Sequence, residues 1–218
     1  FFLILARNKI KIKFNKNFSF IDIYKTFFQF SYIYLFTSII FVFMSNIDIS
    51  LSRILLNNYD SGIYTVASTF SKIPLYLTLA LLYVLFPEIK TGEKNYKILL
   101  TSISFIFSIN VVLIFCFYIF GDLIISYLYG DRYLDVIKYV LILLPSFTLL
   151  NISNIMMIYF TKNHKSHHLL IFLIYSVPFM IFTFRYVDNL LNLSYFIFLY
   201  NLIFFIINLT LYFTTNRK

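Results

Sequence analysis

The chain has 218 residues and a mass of 26.1 kDa, is 61% hydrophobic but only 12% charged, and carries a formal net charge of +9. A globule of this size keeps much of its surface in contact with water, so it cannot hide 29 Phe and 19 Tyr together with its aliphatic residues. A soluble enzyme and a disordered chain are excluded, the single Cys116 excludes an intrachain disulfide, and an integral membrane protein is left.

Phe1 to Ala6 is apolar and is followed, not preceded, by basic residues. A signal peptide has the opposite order, so this segment reads as the tail of a preceding membrane helix in a longer protein. Residues 1–25 read as that tail plus a basic cytoplasmic linker, and residues 26–218 as a membrane bundle. Ser19-Phe20-Ile21-Asp22 has the S-x-x-D spacing of a helix N-cap. The partly polar stretch 19–29 is expected along the cytoplasmic surface of the membrane. Six apolar segments, near 26–47, 62–86, 97–120, 135–160, 167–185 and 194–213, approach the roughly 20 residues that a membrane helix needs. Gly121 to Tyr129 reads as a separate short interfacial helix ended by Gly130. Pro74, Pro145 and Pro178 fall inside spans, where each removes a backbone donor. Connections are short, so neighbouring helices run antiparallel, and no stretch alternates with the period of a barrel strand. The expected fold class is an all-α integral membrane protein built as a six-transmembrane-helix bundle.

Orientation follows from the basic residues. Arg7, Lys9, Lys11, Lys13, Lys16 and Lys25 fall on one side, as do Lys90, Lys94, Lys97, Lys162, Lys165, Arg217 and Lys218. The other side has Arg53, Arg132, Lys138 and Arg185. Thirteen against four places both termini in the cytoplasm and assigns the basic pI to topology, not to nucleic-acid binding.

The informative residues are those that lipid tolerates poorly. Lys72 is the twelfth residue of a stretch starting at Ser61, about 16 Å along a helix rising 1.5 Å per residue. It shares a helical stripe with Ser61, Thr65, Ser68, Tyr76 and Tyr83, opposite Ile63, Val66, Phe70, Ile73, Leu77 and Leu81. Such a cation either lines a polar cavity, with its stripe turned to an open face, or pairs or snorkels for purely structural reasons. Asp48 is the one acid well inside a span, on a stripe with Ser31, Tyr34, Ser38, Phe41, Ser45 and Ser52. Helix packing with a structural ion pair and a role in substrate or ion coupling are both open to it. With the intervening loop centred near Asn58 and Tyr59, Asp48 and Lys72 differ in level by about 4–5 Å, which a Lys stem can span. Asn110, Asn151, Asn154, Asn201 and Asn208 are expected to form interhelical hydrogen bonds.

His164, His167 and His168 have metal-compatible spacing but stand among Lys162 and Lys165 with no acid nearby, so no metal site is expected. Cys116 reads as a small buried hydrophobe. Asp122, Asp131 and Asp135 interleave with Arg132 and Lys138, as at a solvated helix end, and do not read as a catalytic carboxylate pair. There is no P-loop and no H-E-x-x-H.

Two stretches carry a family resemblance. Asn46-Ile47-Asp48, Arg53, Ser61-Gly62-Ile63-Tyr64 and Leu85-Phe86-Pro87 form the first. Phe120-Gly121, then Tyr129-Gly130-Asp131-Arg132-Tyr133 and the long helix to Asn163, form the second. Over about 46–163 the chain resembles bacterial polysaccharide flippases of the multidrug/oligosaccharidyl-lipid/polysaccharide exporter superfamily. The resemblance implies the second half of a twelve-or-more-helix exporter, in the bacterial inner membrane, acting by alternating access in O-antigen-type surface polysaccharide biosynthesis. Its implied partners are an isoprenoid-diphosphate-linked oligosaccharide, membrane lipid and a missing N-terminal helix bundle of the same protein. The first two helices of each such bundle border a central cavity, and here they carry Asp48 and Lys72. On that reading Lys72 offsets the substrate diphosphate, and Arg53 meets the anion near the external mouth. Tyr76 and Tyr83 face sugar rings, while Asp48 serves coupling or an ion pair. No catalytic residue and no cofactor is implied, so an enzyme is not expected. Asn57-Asn58 stands where relatives often have Gly, and a left-handed Asn is expected to keep the turn. A multidrug or cation antiporter of the same superfamily is one alternative. A membrane-embedded polysaccharide polymerase or glycosyltransferase is another, although no external connection is long enough to hold its catalytic loop.

Overall fold

The computed structural model describes residues 20–78, 96–162 and 167–216. In chain order these form α1 (Phe20–Leu55), α2 (Asn58–Ser71), a further helical segment over 73–78, α3 (Tyr96–Tyr129), a 3-10 turn (Asp131–Tyr133), α4 (Val136–Lys162), α5 (His167–Tyr186) and α6 (Leu190–Asn216). No strand occurs among the described residues. Among the described residues, four helices are long and apolar enough to cross a membrane, with spans at Leu35–Leu55, Leu100–Tyr129, Val136–Ile158 and Leu190–Thr214.

The helix limits have local causes. α1 is one 36-residue helix, about 54 Å long and longer than a hydrocarbon core of about 30 Å. It runs unbroken from Phe20, and the expected cap at Ser19 lies outside the described residues. The α1–α2 connection differs from the left-handed turn expected of Asn57-Asn58. Asn57 is extended, with φ −67° and ψ 165°, and works as the N-cap of α2. Its Oδ1 accepts from the Asp60 N–H at 2.8 Å, and its Nδ2 donates back to Asp60 Oδ2 at 2.9 Å. This reciprocal pair satisfies a donor left free at the helix start.

The separate interfacial helix expected at Gly121–Tyr129 does not exist, because α3 continues through Gly121 for 34 residues. Gly121 is a contact point: a Cβ there would lie 3.3 Å from two carbons of Ile137 on α4. Gly130 does end the helix, with φ 86° and ψ 166°, a conformation open in practice only to glycine.

α4 lies at the centre and packs on α6, α3, α2 and α1. Of its span 72% is buried, against 17% for α3, which makes α3 the outer helix. Val140, Leu143, Leu144, Phe147 and Leu150 of α4 are fully enclosed. A helix apolar on every side belongs in such a position. α5 and α6 join through Tyr175, whose ring stacks on Tyr200 at 5.1 Å and whose hydroxyl donates to the Tyr200 carbonyl at 3.0 Å. Helix continues through Pro145 and Pro178, but beside Pro74 it breaks, with a turn at Lys72.

Candidate functional site

The polar interior begins where α1 and α2 meet. Ser52 Oγ and Ser61 Oγ are 3.4 Å apart near the loop. One level deeper, Ser68 Oγ donates to Asp48 Oδ2 at 2.5 Å. Lys72, one turn beyond Ser68, reaches back so that its Nζ lies 2.9 Å from Asp48 Oδ1. The loop sits at residues 56–57, earlier than the centre expected from sequence, so the two charges are further apart along the axes than that estimate. The Lys stem closes the difference because helical side chains lean toward the helix N-terminus.

Both charged side chains are buried, at 1% and 2% exposure. Phe147 of α4 lies under the ammonium, 4.9 Å from Nζ to the ring centre. Such a contact adds a modest attraction to that of the carboxylate. Tyr64 is completely buried beside the Asp48 carboxylate.

The break at Lys72 is stitched to the neighbouring helix. The Lys72 N–H is shared between the Ser68 and Thr69 carbonyls, at 3.1 and 3.3 Å. Pro74, with no N–H, follows two residues later. Ser71 Oγ donates to the Val140 carbonyl at 3.4 Å, and Asn151 Nδ2 donates to the Pro74 carbonyl at 3.3 Å and also to Thr78 Oγ1. Deeper in the bundle, Asn201 Nδ2 donates to Ser146 Oγ at 2.9 Å. Asn151 and Asn201 thus make the interhelical bonds expected of them. Asn208, expected to do the same, donates to Phe204 of its own helix instead.

The structure brings Asp48 and Lys72 together and leaves Arg53 and Tyr76 apart from their contact. Arg53 is exposed in the last turn of α1. Tyr76 is 58% exposed, and Tyr83 lies outside the described residues. The expected stripe does not turn as one face toward an opening. Ser61, Ser68 and Lys72 are buried, Thr65 is half-buried and Tyr76 is exposed. The reason is rotation: the buried side of α2 and of the segment that follows it lies between the polar and apolar stripes and takes Tyr64, Ala67, Ser71 and Leu75 from the gap between them. Lys72 therefore lines no open cavity in this structure. A charge at this depth is held by its partner, since an unpaired one costs far more. Ser68 and Tyr64 were recognisable from sequence as neighbours one and two turns before Lys72. Phe147 carried no such signal, because its place depends on how α4 docks. Asp131 and Asp135 stand exposed at the solvated end, with Asp131 accepting from Ser126 and Asp135 pairing with Lys138 at 3.1 Å. His164 and the side chains of His167 and His168 lie outside the described residues.

Residues 1–138 match the family described as polysaccharide biosynthesis protein. The chain belongs to this family. The matched region takes in α1, α2, α3 and the Gly130 turn, and with them Asp48, Arg53 and Lys72. No curated protein and no solved structure matches the chain.

Proposed function

We propose that the protein exports a lipid-linked oligosaccharide across the bacterial inner membrane during surface polysaccharide biosynthesis. The observation that carries this reading is the polysaccharide biosynthesis family match over 1–138, in a chain whose described residues include four apolar helices of spanning length. Six crossings, with both ends of the chain in the cytoplasm, make the bundle the second half of a larger exporter that works by alternating access. Arg53, exposed at the end of α1, is the cation positioned for the substrate diphosphate. A cation there offsets part of the cost of bringing an anion to a low-dielectric surface. Lys72 would meet the anion only in a state that releases it from Asp48. Tyr76 offers an exposed ring and hydroxyl to sugars.

Deletion of the gene, followed by separate assay of the two membrane leaflets, tests this reading. Export predicts loss of surface polysaccharide with complete lipid-linked repeat units trapped on the cytoplasmic leaflet. Incomplete units would point to a glycosyltransferase, and complete single units on the outer leaflet to a polymerase. Either result would overturn the proposal.

A further inference from the structure

Where α5 meets α6 the bundle carries a groove of about 490 Å³. Tyr175, Pro178 and Phe182 of α5 line one side, and Phe196, Leu199 and Ile203 of α6 the other. Between them the Phe179 and Tyr200 rings meet at 4.0 Å and hold the helices together. The Tyr175 hydroxyl is spent on the Tyr200 carbonyl, so the lining is almost wholly apolar. Phe182, Leu199 and Ile203 are exposed, which leaves the groove open along its length.

Its dimensions point to an occupant. Along α6 the lining runs from Phe196 to Ile207, inside the spanning stretch Leu190–Thr214. Eleven residues rise about 17 Å, close to half of a hydrocarbon core of about 30 Å. The groove is thus one leaflet deep. Its volume holds about sixteen groups of water or methylene size, at roughly 30 Å³ each. One acyl chain of a phospholipid fits both measures, and a long isoprenoid chain exceeds both.

The end of the groove near the α5–α6 connection supplies charge. The Phe182 ring stacks on Tyr186 at 5.8 Å, and Arg185 stands one turn beyond Phe182 on the same face of α5. Arg185 and Asp188 are both exposed, and neither forms an ion pair among the described residues. Tyrosine and arginine at the end of an apolar helix mark the level of lipid headgroups. A cation and an anion three residues apart match a headgroup that carries a phosphate and an ammonium.

We propose that the α5–α6 groove binds one zwitterionic phospholipid, with an acyl chain between the helices, its phosphate at Arg185 and its ammonium at Asp188. The site does not depend on the export reading. α3 provides the contrast within the same protein: Val111, Val112, Phe115 and Ile119 are exposed there as an ordinary apolar face. A chain on such a face is touched from one side, whereas the groove adds contacts from two helices at once.

The test uses the full-length protein, purified in a mild detergent and freed of lipid by exchange. It is titrated with palmitoyl-oleoyl phosphatidylethanolamine or phosphatidylglycerol, and bound lipid is counted by native mass spectrometry. Ile203→Trp fills the groove, Leu199→Phe is a smaller filler that keeps the test valid if the first disturbs folding, and Val112→Trp is the control on α3. The first phosphatidylethanolamine is expected to bind at least fivefold tighter than phosphatidylglycerol. Each folded filler should weaken that first site at least fivefold, and Val112→Trp should leave it unchanged. Arg185→Gln with Asp188→Asn should abolish the preference between the two lipids. First-site binding unchanged by the fillers, or no preference in the parent, would overturn the proposal. Equimolar displacement of the bound lipid by a polyprenyl phosphate would give the groove to an isoprenoid chain, and a dimer that Ile203→Trp dissociates would give it to a second copy; either would also overturn it.

Discussion

Removing the Asp48 charge alone tests the electrostatics of the buried pair most directly. Two unit charges 2.9 Å apart attract by about 6 kcal/mol at an effective dielectric of about 20. Desolvation of two ions, at several kcal/mol each, opposes that gain, so the intact pair is close to balance. Asp48→Asn upsets the balance on one side only. Lys72 stays buried against Phe147 with its charge uncompensated, at a cost of about 3–5 kcal/mol. For a protein of this size that corresponds to a fall in the unfolding midpoint of roughly 6–20 °C. The double variant Asp48→Asn/Lys72→Met removes both charges and keeps most of the volume, so it should recover most of the loss. Thermal unfolding of the purified parent, Asp48→Asn, Lys72→Met and the double variant in a fixed detergent, read by intrinsic tyrosine fluorescence, gives the four midpoints of the cycle. If Asp48→Asn melts with the parent, or if the double variant is no better than the single one, the pair is not the enclosed contact described here.

Three further outcomes are expected. Gly121→Leu should separate α3 from α4 at Ile137 and cost about 1–3 kcal/mol, measured by the same melts, whereas Gly121→Ala asks Ile137 to give way by only a few tenths of an ångström and should be far milder. Gly130→Ala and Gly130→Asn should both cost about 1–3 kcal/mol, because φ 86° with ψ 166° lies outside even the left-handed region that Asn tolerates and no neighbour obstructs a Cβ there. A cysteine placed at Glu93 should react with an impermeant maleimide only after the cytoplasmic side is opened, and reaction in intact cells would reverse the topology drawn from the thirteen-to-four split of basic residues.

Helix existence was legible in the sequence because apolar length is a strong signal. Helix rotation was not. The polar stripe through Ser61, Thr65, Ser68, Lys72 and Tyr76 read as one face, yet only part of it is buried. Stripe reading assumes that one medium sets both sides of a helix. α2 instead meets α1 on one side and α4 on another, and each draws in part of the stripe. Gly121 misled in a different way. In water a glycine after a long apolar run is a plausible helix end, but in hydrocarbon an interrupted ladder leaves backbone groups unsatisfied. The helix therefore continues, and the missing side chain admits Ile137. The Asp48–Lys72 contact was within reach of sequence arithmetic because it joins consecutive antiparallel helices, where loop position alone fixes the register.

The same backbone constraint explains why α2 is fastened so heavily. Pro74 brings no N–H to the helix, and the ladder loosens into the shared bond at Lys72. Such a break survives at membrane depth only where other groups take up the freed polar atoms. Here Asn151 donates to the Pro74 carbonyl and Ser71 to that of Val140, both from or to the central α4. On the other side, Ser68 and Lys72 close on Asp48 of α1. The broken segment is thus tied to two helices at once, with its charge on the α1 side and its uncharged bonds on the α4 side. A movement that separates α1 from α2 must rehydrate or re-pair two buried ions. A movement that slides α2 along α4 exchanges neutral hydrogen bonds of about 1 kcal/mol each and the Lys72–Phe147 contact, and leaves the ion pair closed. If the bundle changes shape during export, α1 and α2 should travel as one body, with the α4 contact as the surface that gives.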